Sequence, residues 1–340
     1  GGAVTALPRD AAQLGGEGAR VTAADVINGD ARSCVVHSRC EAFSSSLPDG
    51  SVNLLWLDPP YFRVVDEAWD RAWKTDADFL AWLRGVVREA ARVLAPNGSL
   101  YLFASPQMSG RVECIARESM EVLNHLVWVK RQGWHAKADE DAIRGYFPQT
   151  ERVIFAEHRA PGESPMSAAI RTARESASLT RSALDVAIGR ASTADPTRGT
   201  GLAYRWEEGS SVPTREDFAA VMRACRCDRS DYAETVALTA KVRRHFDASR
   251  GGPTTDVWEY DTVSPAPSKH PCEKPAAMLR DVVLASSRPG DVVCEFFGGS
   301  FRMAETALSL GRRYIGCDAD PHWAAVGVDR ARAAERGTLA

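Results

Sequence analysis

An apolar run that stops at two prolines is the feature that most constrains the fold of this chain. The run, Val52-Asn53-Leu54-Leu55-Trp56-Leu57, is almost wholly apolar, which predicts a buried strand. Pro59 and Pro60 follow closely. Because proline has no backbone N–H to give to a neighbouring strand, the strand must end there. Strands covered on both faces are typical of parallel sheets flanked by helices, so the run predicts an α/β fold.

Asp58, Pro59, Pro60 and Tyr61 follow the predicted end of this strand. In open α/β sheets, the carboxyl ends of the strands are where ligands bind. Asp58 and the carbonyl of Pro59 can accept hydrogen bonds, and the ring of Tyr61 can stack on a flat ligand. The segment therefore predicts a clamp for an aromatic amine. Simpler roles stay open at this point: Asp58 as a loop acid or helix cap, and Tyr61 as a ring packed on the strand end.

Strand and helix patterns alternate on both sides of the clamp. Apolar positions recur at helical spacing over residues 76–94, and a strand pattern follows at residues 99–103. A short strand is also predicted at Val26-Ile27. The alternation returns over residues 275–332. This order predicts a Rossmann-like α/β fold with a mostly parallel sheet.

Residues 161–256 differ from the rest in composition: they are rich in Arg, Ser, Ala and Thr and lack strong strand patterns. We predict a mainly helical inserted module there. Residues 21–160 and 257–335 then form one α/β domain built from two segments, and residues 1–20 a flexible tail. Helices within the module are predicted at residues 166–176, 180–188, 214–224 and 232–246.

A glycine-rich turn follows a second predicted buried strand, at residues 291–296. The turn, Phe297-Gly298-Gly299-Ser300, precedes a helix, and a helix N-terminus offers free N–H groups and a partial positive charge. Asp318 lies about 20 residues further on, the spacing at which an acid binds ribose hydroxyls in dinucleotide folds. The pattern indicates a nucleoside cradle, although a plain glycine turn of an α/β protein would look the same.

The 340 residues carry 42 Lys and Arg against 45 Asp and Glu, a formal net charge of -3. This balance argues against a purely electrostatic DNA binder, although a local basic stripe matters more than the sum. No apolar run approaches the ~20 residues needed to span a bilayer. The 8 cysteines include no C-x-x-C pair. We therefore expect reduced cysteines, no metal site, no membrane association and a cytoplasmic location.

Several motifs follow one another in a definite order, with the clamp ahead of the cradle. In this order the chain resembles the β-class of S-adenosylmethionine-dependent DNA amino-methyltransferases, which implies a bacterial or phage-encoded, nucleoid-associated enzyme. An Asp at the head of the clamp resembles the adenine-N6 enzymes, whereas cytosine-N4 enzymes more often carry Ser there. The motifs are Ile27-Asn28-Gly29-Asp30, Leu47-Pro48-Asp49-Gly50-Ser51-Val52, Asp58-Pro59-Pro60-Tyr61, Val93-Leu94-Ala95-Pro96-Asn97-Gly98, Trp128-Val129-Lys130, His270-Pro271-Cys272-Glu273-Lys274-Pro275, the turn 297–300 and Tyr314-Ile315-Gly316-Cys317-Asp318.

The resemblance implies roles for individual residues. Asp58, Pro59, Pro60 and Tyr61 would hold an adenine flipped out of double-stranded DNA. S-adenosylmethionine would be the cofactor, and the resemblance also implies a homodimer. The residues implied around the cofactor are Asp30, Ala31, Asp58, Lys274, Pro275, Phe297, Gly298, Gly299, Ser300, Phe301 and Asp318.

The cradle departs from the pattern of the family, which is usually Phe-x-Gly-x-Gly. Phe301 occupies the place of the second glycine, and Glu295 stands where Asp is commoner. Two outcomes are open: the Phe301 ring lines the cofactor pocket, or it weakens cofactor binding.

The inserted module resembles, more loosely, a helix-turn-helix of the phage-repressor kind. A long loop at residues 190–201 stretches the usual spacing. A solvated basic face on a helical insertion is the plainer alternative. The residues predicted to contact DNA, in this module and elsewhere, are Lys130, Arg131, Lys137, Arg181, Arg198, Arg205, Arg243 and Arg244.

Other functions compatible with the sequence differ in how much they leave unexplained. The nearest is a cytosine-N4 methyltransferase on the same scaffold. A catalytically weak DNA-binding regulator would account for Phe301 and the repressor-like module. A nicotinamide oxidoreductase would leave the clamp at residues 58–61 without a purpose. Transfer to RNA or to a small molecule is also open.

Overall fold

The computed structural model describes residues 21–62, 64, 70–130, 146, 149–158, 163–247, 249, 252–263 and 270–337. The chain divides into two compact units. The larger unit comprises Gly1–Arg159 with Arg244–Ala340, and the smaller unit comprises Ala160–Arg243. The border at Arg243 lies ahead of the position 256 that the sequence suggested. The segment after Arg243 belongs to the larger unit.

The larger unit is an α/β fold around one eight-stranded sheet, which confirms the predicted fold class. Its strands are β1 (Ser33–His37), β2 (Val52–Leu57), β3 (Leu94–Ala104), β4 (Met120–Lys130), β5 (Thr150–His158), β6 (Val257–Tyr260), β7 (Val292–Glu295) and β8 (Arg313–Asp318). Its helices are α1 (Ala23–Asn28), α2 (Cys40–Ser46), α3 (Asp76–Val93), α4 (Ser109–Ser119), α10 (Ala276–Ser286), α11 (Arg302–Ser309) and α12 (Pro321–Arg336).

The strand order is β1-β8-β7-β2-β3-β5-β4-β6. The first five strands in this order run parallel. Strand β5 runs antiparallel to both β3 and β4, and β6 runs parallel to β4. The parallel part therefore places the carboxyl ends of β1, β8, β7, β2 and β3 at one edge. The amino end of β5 lies at that same edge.

Strand β2, which precedes the clamp, is covered by apolar clusters on both faces, and this explains its composition. Leu54 and Trp56 pack into one apolar cluster, whereas Leu55 and Leu57 pack into another. Successive side chains of a strand point to opposite faces, so β2 must be apolar at almost every position. Burial of a Leu side chain stabilises the fold by about 1.5–3 kcal/mol.

One sequence prediction is wrong at the start of the fold. Val26 and Ile27 lie in helix α1, not in a strand. Thr22 and Asp25 form a capping box before this helix, and Gly29, with φ of 94°, ends it. A pair of apolar residues fits either a short strand or one face of a helix, and here the caps decide for the helix.

The smaller unit is helical and has its own apolar core. Its helices are α5 (Pro165–Ser176), α6 (Arg181–Ala187), α7 (Leu202–Glu207), α8 (Arg215–Ala224) and α9 (Tyr232–Val242). Helices α5 and α6 are joined by a short turn in which Ser178 has φ of 54°. A long loop, closed by a bridge between Ala191 and Gly199, then leads to α7.

Asp185 fixes the start of α7 from the preceding helix. Its buried carboxylate accepts hydrogen bonds from the N–H groups of Gly201, Leu202 and Ala203 at 2.7, 3.0 and 2.8 Å. These are N–H groups that a helix start leaves without a partner. The long loop is thus anchored at its end by a side chain on α6.

Within the described part of the chain, no helix is both long and apolar enough to cross a bilayer.

Candidate active site

The clamp and the glycine turn lie next to each other at the carboxyl edge of the sheet. Asp58 directly follows β2, and the turn 297–300 directly follows β7 after Phe296. Strand β7 pairs with β2 on one side, where Trp56 faces Glu295, and with β8 on the other. The structure therefore brings together the two features that the sequence suggested for one site.

Asp58 is bound on both of its carboxylate oxygens. Oδ1 accepts the hydroxyl proton of Tyr61 at 2.7 Å, and Oδ2 lies 2.7 Å from Nζ of Lys274. Burial, with Asp58 and Glu151 beside it, raises the pKa of the Tyr61 hydroxyl well above its ordinary value. Tyr61 is therefore a neutral donor whose ring is fixed at its hydroxyl end. Pro59 is buried and Pro60 half-buried.

A second carboxylate, Glu151, completes a cluster of five residues: Asp58, Tyr61, Lys130, Glu151 and Lys274. We call it the buried charged cluster after its two buried members, Glu151 and Lys274. Glu151 lies 2.9 Å from the Tyr61 hydroxyl and 3.2 Å from Nζ of Lys274, and it pairs with Lys130. Burial opposes ionisation of Glu151, but Lys274 and Lys130 outweigh it and hold the pKa of this carboxyl at about 2. Sequence reasoning missed Glu151 because no motif marks it.

Lys274 lies among aromatic rings as well as carboxylates. Its Nζ is 4.7 Å from the ring centre of Phe103, 5.6 Å from that of Tyr61 and 5.8 Å from that of Trp128. Burial disfavours a charged amine, yet Asp58 and Glu151 raise the pKa of Lys274 above its ordinary value. Lys274 is thus a permanent cation whose side chain is only 7% exposed.

Asp70 holds the backbone that follows the clamp. Its side chain is fully buried. Oδ1 accepts the N–H of Tyr61 at 2.7 Å, and Oδ2 accepts the N–H of Val64 at 2.5 Å. Asp70 therefore sets the position of Tyr61 from the backbone side. Sequence reasoning missed it, since an isolated acid in a loop carries no pattern.

The glycine turn is closed by hydrogen bonds to β8. The N–H of Gly299, whose φ is 50°, donates to Oδ2 of Asp318 at 2.7 Å, and the N–H of Gly298 donates to the carbonyl of Cys317 at 2.9 Å. Asp318 also accepts the N–H of Asp320 at 2.8 Å. Burial raises the pKa of Asp318, and this outweighs the two hydrogen bonds from Asp320 and Gly299, which lower it. Phe297 and Asp318 both stay half-exposed at this edge.

The Phe301 ring points into the core, which answers the question that its position raised. Its exposure is 0%, and a Cβ on Gly298 would overlap its ring. The ring packs beneath the turn and is not exposed at the carboxyl edge. Its backbone keeps the left-handed conformation, with φ of 53°, which suits the glycine usual in the family.

The Glu295 side chain, below the turn, is also buried. Its Oε2 accepts the hydroxyl proton of Tyr314 at 2.6 Å, and both side chains are buried. Burial raises the pKa of Glu295 well above its ordinary value. Burial therefore favours the protonated form of Glu295, which packs below the turn against Tyr314.

His270 covers the other glycine of the turn. A Cβ on Gly299 would lie 3.2 Å from Cε1 of His270. Nδ1 of His270 accepts the N–H of Cys272 at 3.2 Å, which places the ring proton on Nε2. Burial lowers the pKa of His270. Pro275 precedes helix α10, and Ser300 is buried beside the start of α11.

Asp30 and Ala31 do not join the site, which corrects the assignment made from sequence. They precede β1, whose carboxyl end is His37, so they lie at the opposite edge of the parallel strands. The loop beside Asp318 is instead the one after His37: the N–H of Ser38 donates to the Asp318 carbonyl at 3.0 Å. The assignment rests on the resemblance of Ile27-Asn28-Gly29-Asp30 to a family motif, which does not specify the edge of the sheet at which the segment lies.

Three of the predicted DNA contacts are engaged in ion pairs within the protein. Lys130 pairs with Glu151 in the buried charged cluster. Arg181 pairs with Glu207 at 2.7 Å. Arg244 pairs with Glu157 at 2.7 Å. Each guanidinium or ammonium already has a carboxylate partner, so a role in phosphate binding does not follow from their charge alone.

The remaining predicted DNA contacts differ in exposure. Arg198 in the long loop and Arg205 on α7 are exposed, whereas Arg243 is half-buried. Arg131 and Lys137 lie outside the described residues. Among the residues that the structure describes, no His, Cys, Asp or Glu side chains cluster as a metal site would require.

A family model described as DNA methylase matches residues 52–328. The chain belongs to the DNA methylase family. The match spans the clamp, the buried charged cluster, the glycine turn and the helical insertion. The clamp and the glycine turn at the carboxyl edge both lie within the matched span.

Curated relatives extend over most of the chain. DNA adenine methyltransferase YhdJ of Escherichia coli K12 is 25% identical over 307 residues, covering 89% of this chain and 83% of that protein. Type II methyltransferase M1.MboII of Moraxella bovis is 23% identical over 288 residues, covering 82% of this chain and 88% of that protein.

A solved structure supports the fold. PvuII DNA methyltransferase, described as cytosine-N4-specific, superposes with a TM-score of 0.52 over 88% of this chain and 86% of that one. At 12% sequence identity this likeness bears on the fold alone.

Proposed function

We propose that this DNA methylase transfers a methyl group from S-adenosylmethionine to N6 of adenine in double-stranded DNA. The observation that carries the proposal is Asp58, a carboxylate at the carboxyl end of β2, held 2.7 Å from the Tyr61 hydroxyl beside the glycine turn. Asp rather than Ser at this position favours adenine, and YhdJ, the relative named above, is an adenine methyltransferase.

The residues of the turn fit an adenosine-containing cofactor. Asp318 offers carboxylate oxygens for hydroxyl groups, and the half-exposed Phe297 offers a ring edge at the same carboxyl edge. S-adenosylmethionine would supply a methyl group made electrophilic by a sulfonium. Asp30 and Ala31 play no part in this binding, because they lie at the other edge of the sheet.

The clamp explains how a poor nucleophile reacts. The amine of adenine is unreachable inside a duplex, so the base must be flipped out. Hydrogen bonds from the amine to Asp58 and to the Pro59 carbonyl would hold the nitrogen lone pair toward the methyl carbon. As the amine nitrogen takes the methyl group from the sulfonium, it would lose a proton, which the Asp58 carboxylate would accept. Catalysis is then mainly positioning and electrostatics.

Substitution of Asp58 tests the role of the clamp. We expect Asp58→Ala to lose methyl transfer, measured as tritiated methyl incorporated into plasmid DNA. Cofactor binding measured by calorimetry should stay nearly unchanged. Full incorporation by the variant would contradict the role of Asp58.

Identification of the methylated nucleoside tests the substrate. Digestion of methylated plasmid DNA should release N6-methyladenine, and single-molecule sequencing of the same plasmid should give the target motif. Release of N4-methylcytosine would select the second candidate, a cytosine-N4 methyltransferase on the same scaffold.

The smaller unit would contribute DNA contacts through its exposed arginines, Arg198 and Arg205. Charge-removing substitutions there should weaken DNA binding nearly uniformly across sequences and reduce its salt dependence. A homodimer, which the family resemblance implies, is tested by light scattering of the purified protein.

A further inference from the structure

Glu151 is a buried carboxylate at the active site with no part in the chemistry described above. It is 8% exposed and lies at the amino end of β5. Because β5 runs antiparallel to β3, Glu151 reaches the carboxyl edge where Asp58 lies. A buried charge is costly unless it is paired, so its position calls for an explanation.

One ammonium is shared between the two carboxylates. Nζ of Lys274 lies 2.7 Å from Oδ2 of Asp58 and 3.2 Å from Oε2 of Glu151. The Tyr61 hydroxyl is shared as well, at 2.7 Å from Asp58 and 2.9 Å from Glu151. A hydroxyl has one proton to donate, so Asp58 and Glu151 compete for it.

Methyl transfer would require Asp58 to bind one more group. The carboxylate must accept a hydrogen bond from the amine of the target base while a sulfonium lies nearby. In this buried setting a second cation is repelled far more strongly than in water. A carboxylate has about four acceptor sites, and Tyr61 and Lys274 each take one on Asp58. The ammonium on Oδ2 weakens the carboxylate as an acceptor for the amine, and it would repel a sulfonium.

Resting on the proposed function, we propose that Glu151 is a positioning residue that takes over Lys274 when the target amine binds Asp58. A small movement of Nζ from Asp58 toward Glu151 transfers the ion pair without exposing a charge. Lys130, already paired with Glu151, keeps the buried charged cluster close to neutral. Tyr61 then donates its proton to Asp58 and keeps its ring against the base.

Glu151→Gln tests this transfer of Lys274 from Asp58 to Glu151, which we call the handover, because the substitution keeps the shape of the side chain and removes its charge. Without a second anion, Lys274 stays on Asp58, so the single-turnover rate of tritiated methyl transfer to plasmid DNA should fall about 10- to 100-fold. Cofactor affinity measured by calorimetry should change less than about twofold, since Glu151 acts on side chains of the clamp and not on the glycine turn. A rate equal to that of the wild type would overturn the proposal.

Glu157→Gln is the matched control. Glu157 lies on the same strand and pairs with Arg244 at 2.7 Å, but it is opposite Ser99, away from the carboxyl edge. Because it also removes one charge of an ion pair, Glu157→Gln should lower the melting temperature, as Glu151→Gln should. It should leave the methylation rate unchanged. An equal fall in rate in both variants would reduce Glu151 to a structural role and overturn the proposal.

A second substitution separates positioning from structure. Adding Lys274→Met to Glu151→Gln removes the ammonium that competes with the amine for Asp58, so the double variant should methylate faster than Glu151→Gln alone at saturating cofactor. Two reductions in rate that multiply would overturn the handover. A wild-type protein that transfers no methyl group would instead count against the proposed function.

A crystal structure of the wild type provides a readout that needs no variant. With S-adenosylhomocysteine and a duplex carrying the site found by sequencing, Nζ of Lys274 should lie closer to Glu151 than to Asp58. An unchanged ion pair between Lys274 and Asp58, with a flipped base bound, would overturn the proposal.

Discussion

The ring of Phe301 occupies the space that a side chain at Gly327 would need. A Cβ on Gly327 would lie 2.5 Å from Cγ and Cδ2 of the ring. Gly327 lies inside helix α12, where glycine is normally about 1 kcal/mol less favourable than alanine. The close approach of the ring explains why a glycine stands in the middle of this helix.

This close approach predicts that the effect of Gly327→Ala on stability depends on whether the Phe301 ring is present. Gly327→Ala should destabilise the wild type by about 1–3 kcal/mol, because the new methyl group overpacks the core. In a Phe301→Gly background the same change should be neutral or stabilising, since the ring is gone and the helix propensity improves. Urea denaturation of the four proteins measures both effects.

Gly85 on α3 serves as the control for that cycle, because nothing lies within 4 Å of a Cβ built there. Gly85→Ala should stabilise the protein by about 0.4–1 kcal/mol in either background. An equal destabilisation by Gly327→Ala with and without the ring would contradict the packing.

Glu295 predicts a dependence of stability on pH. Its pKa in the folded protein is raised above the ordinary 4.5, so the folded state binds a proton that the unfolded state releases. That contribution is complete below about pH 4.5 and is lost as the pH rises toward the folded pKa. Glu295→Gln cannot titrate, so it should gain stability relative to wild type between pH 5 and pH 8, measured by urea denaturation.

The exposed Glu121 on β4 provides the comparison for Glu295. Glu121→Gln should give a stability difference that is small and the same at both pH values. If Glu295→Gln behaves in the same way, the carboxyl of Glu295 is ionised in the folded state.

Asp70 predicts a loss of activity without a loss of cofactor binding. Asp70→Asn leaves one carbonyl oxygen where two acceptors hold the N–H groups of Tyr61 and Val64. Tyr61 would shift, and a displacement near 1 Å costs about 100-fold in rate. Steady-state methylation should show a lower kcat. Asp78→Asn, which only weakens the cap of α3, should lower stability and leave kcat unchanged.

Asp185 predicts the stability of the smaller unit. Asp185→Ala leaves three N–H groups at the start of α7 without their acceptor, at an expected cost of about 2–3 kcal/mol. Limited proteolysis should cut the loop before α7 faster in the variant. Asp195→Ala removes a similar hydrogen bond to Thr197 in the same exposed loop and should change the rate little; equal rates in both variants would contradict the anchoring role of Asp185.

The local sequence was enough to predict the clamp and the turn as neighbours. An apolar run that ends in Pro59 and Pro60 fixes where β2 stops, and a glycine pair after a second buried strand indicates the turn. Parallel strands bring their carboxyl ends to one edge. The fold class and the DNA methylase family follow from such patterns, because they depend on neighbours in the chain.

Only the tertiary structure decided which charges meet and where Phe301 points. Glu151 reaches Asp58 because an antiparallel strand brings its amino end to the carboxyl edge, and Lys130 pairs with Glu151 there. Asp30 lies at the opposite edge from Asp58 because it precedes the amino end of β1, a parallel strand. Ion pairs and core packing join residues far apart in the chain, so no local pattern encodes them.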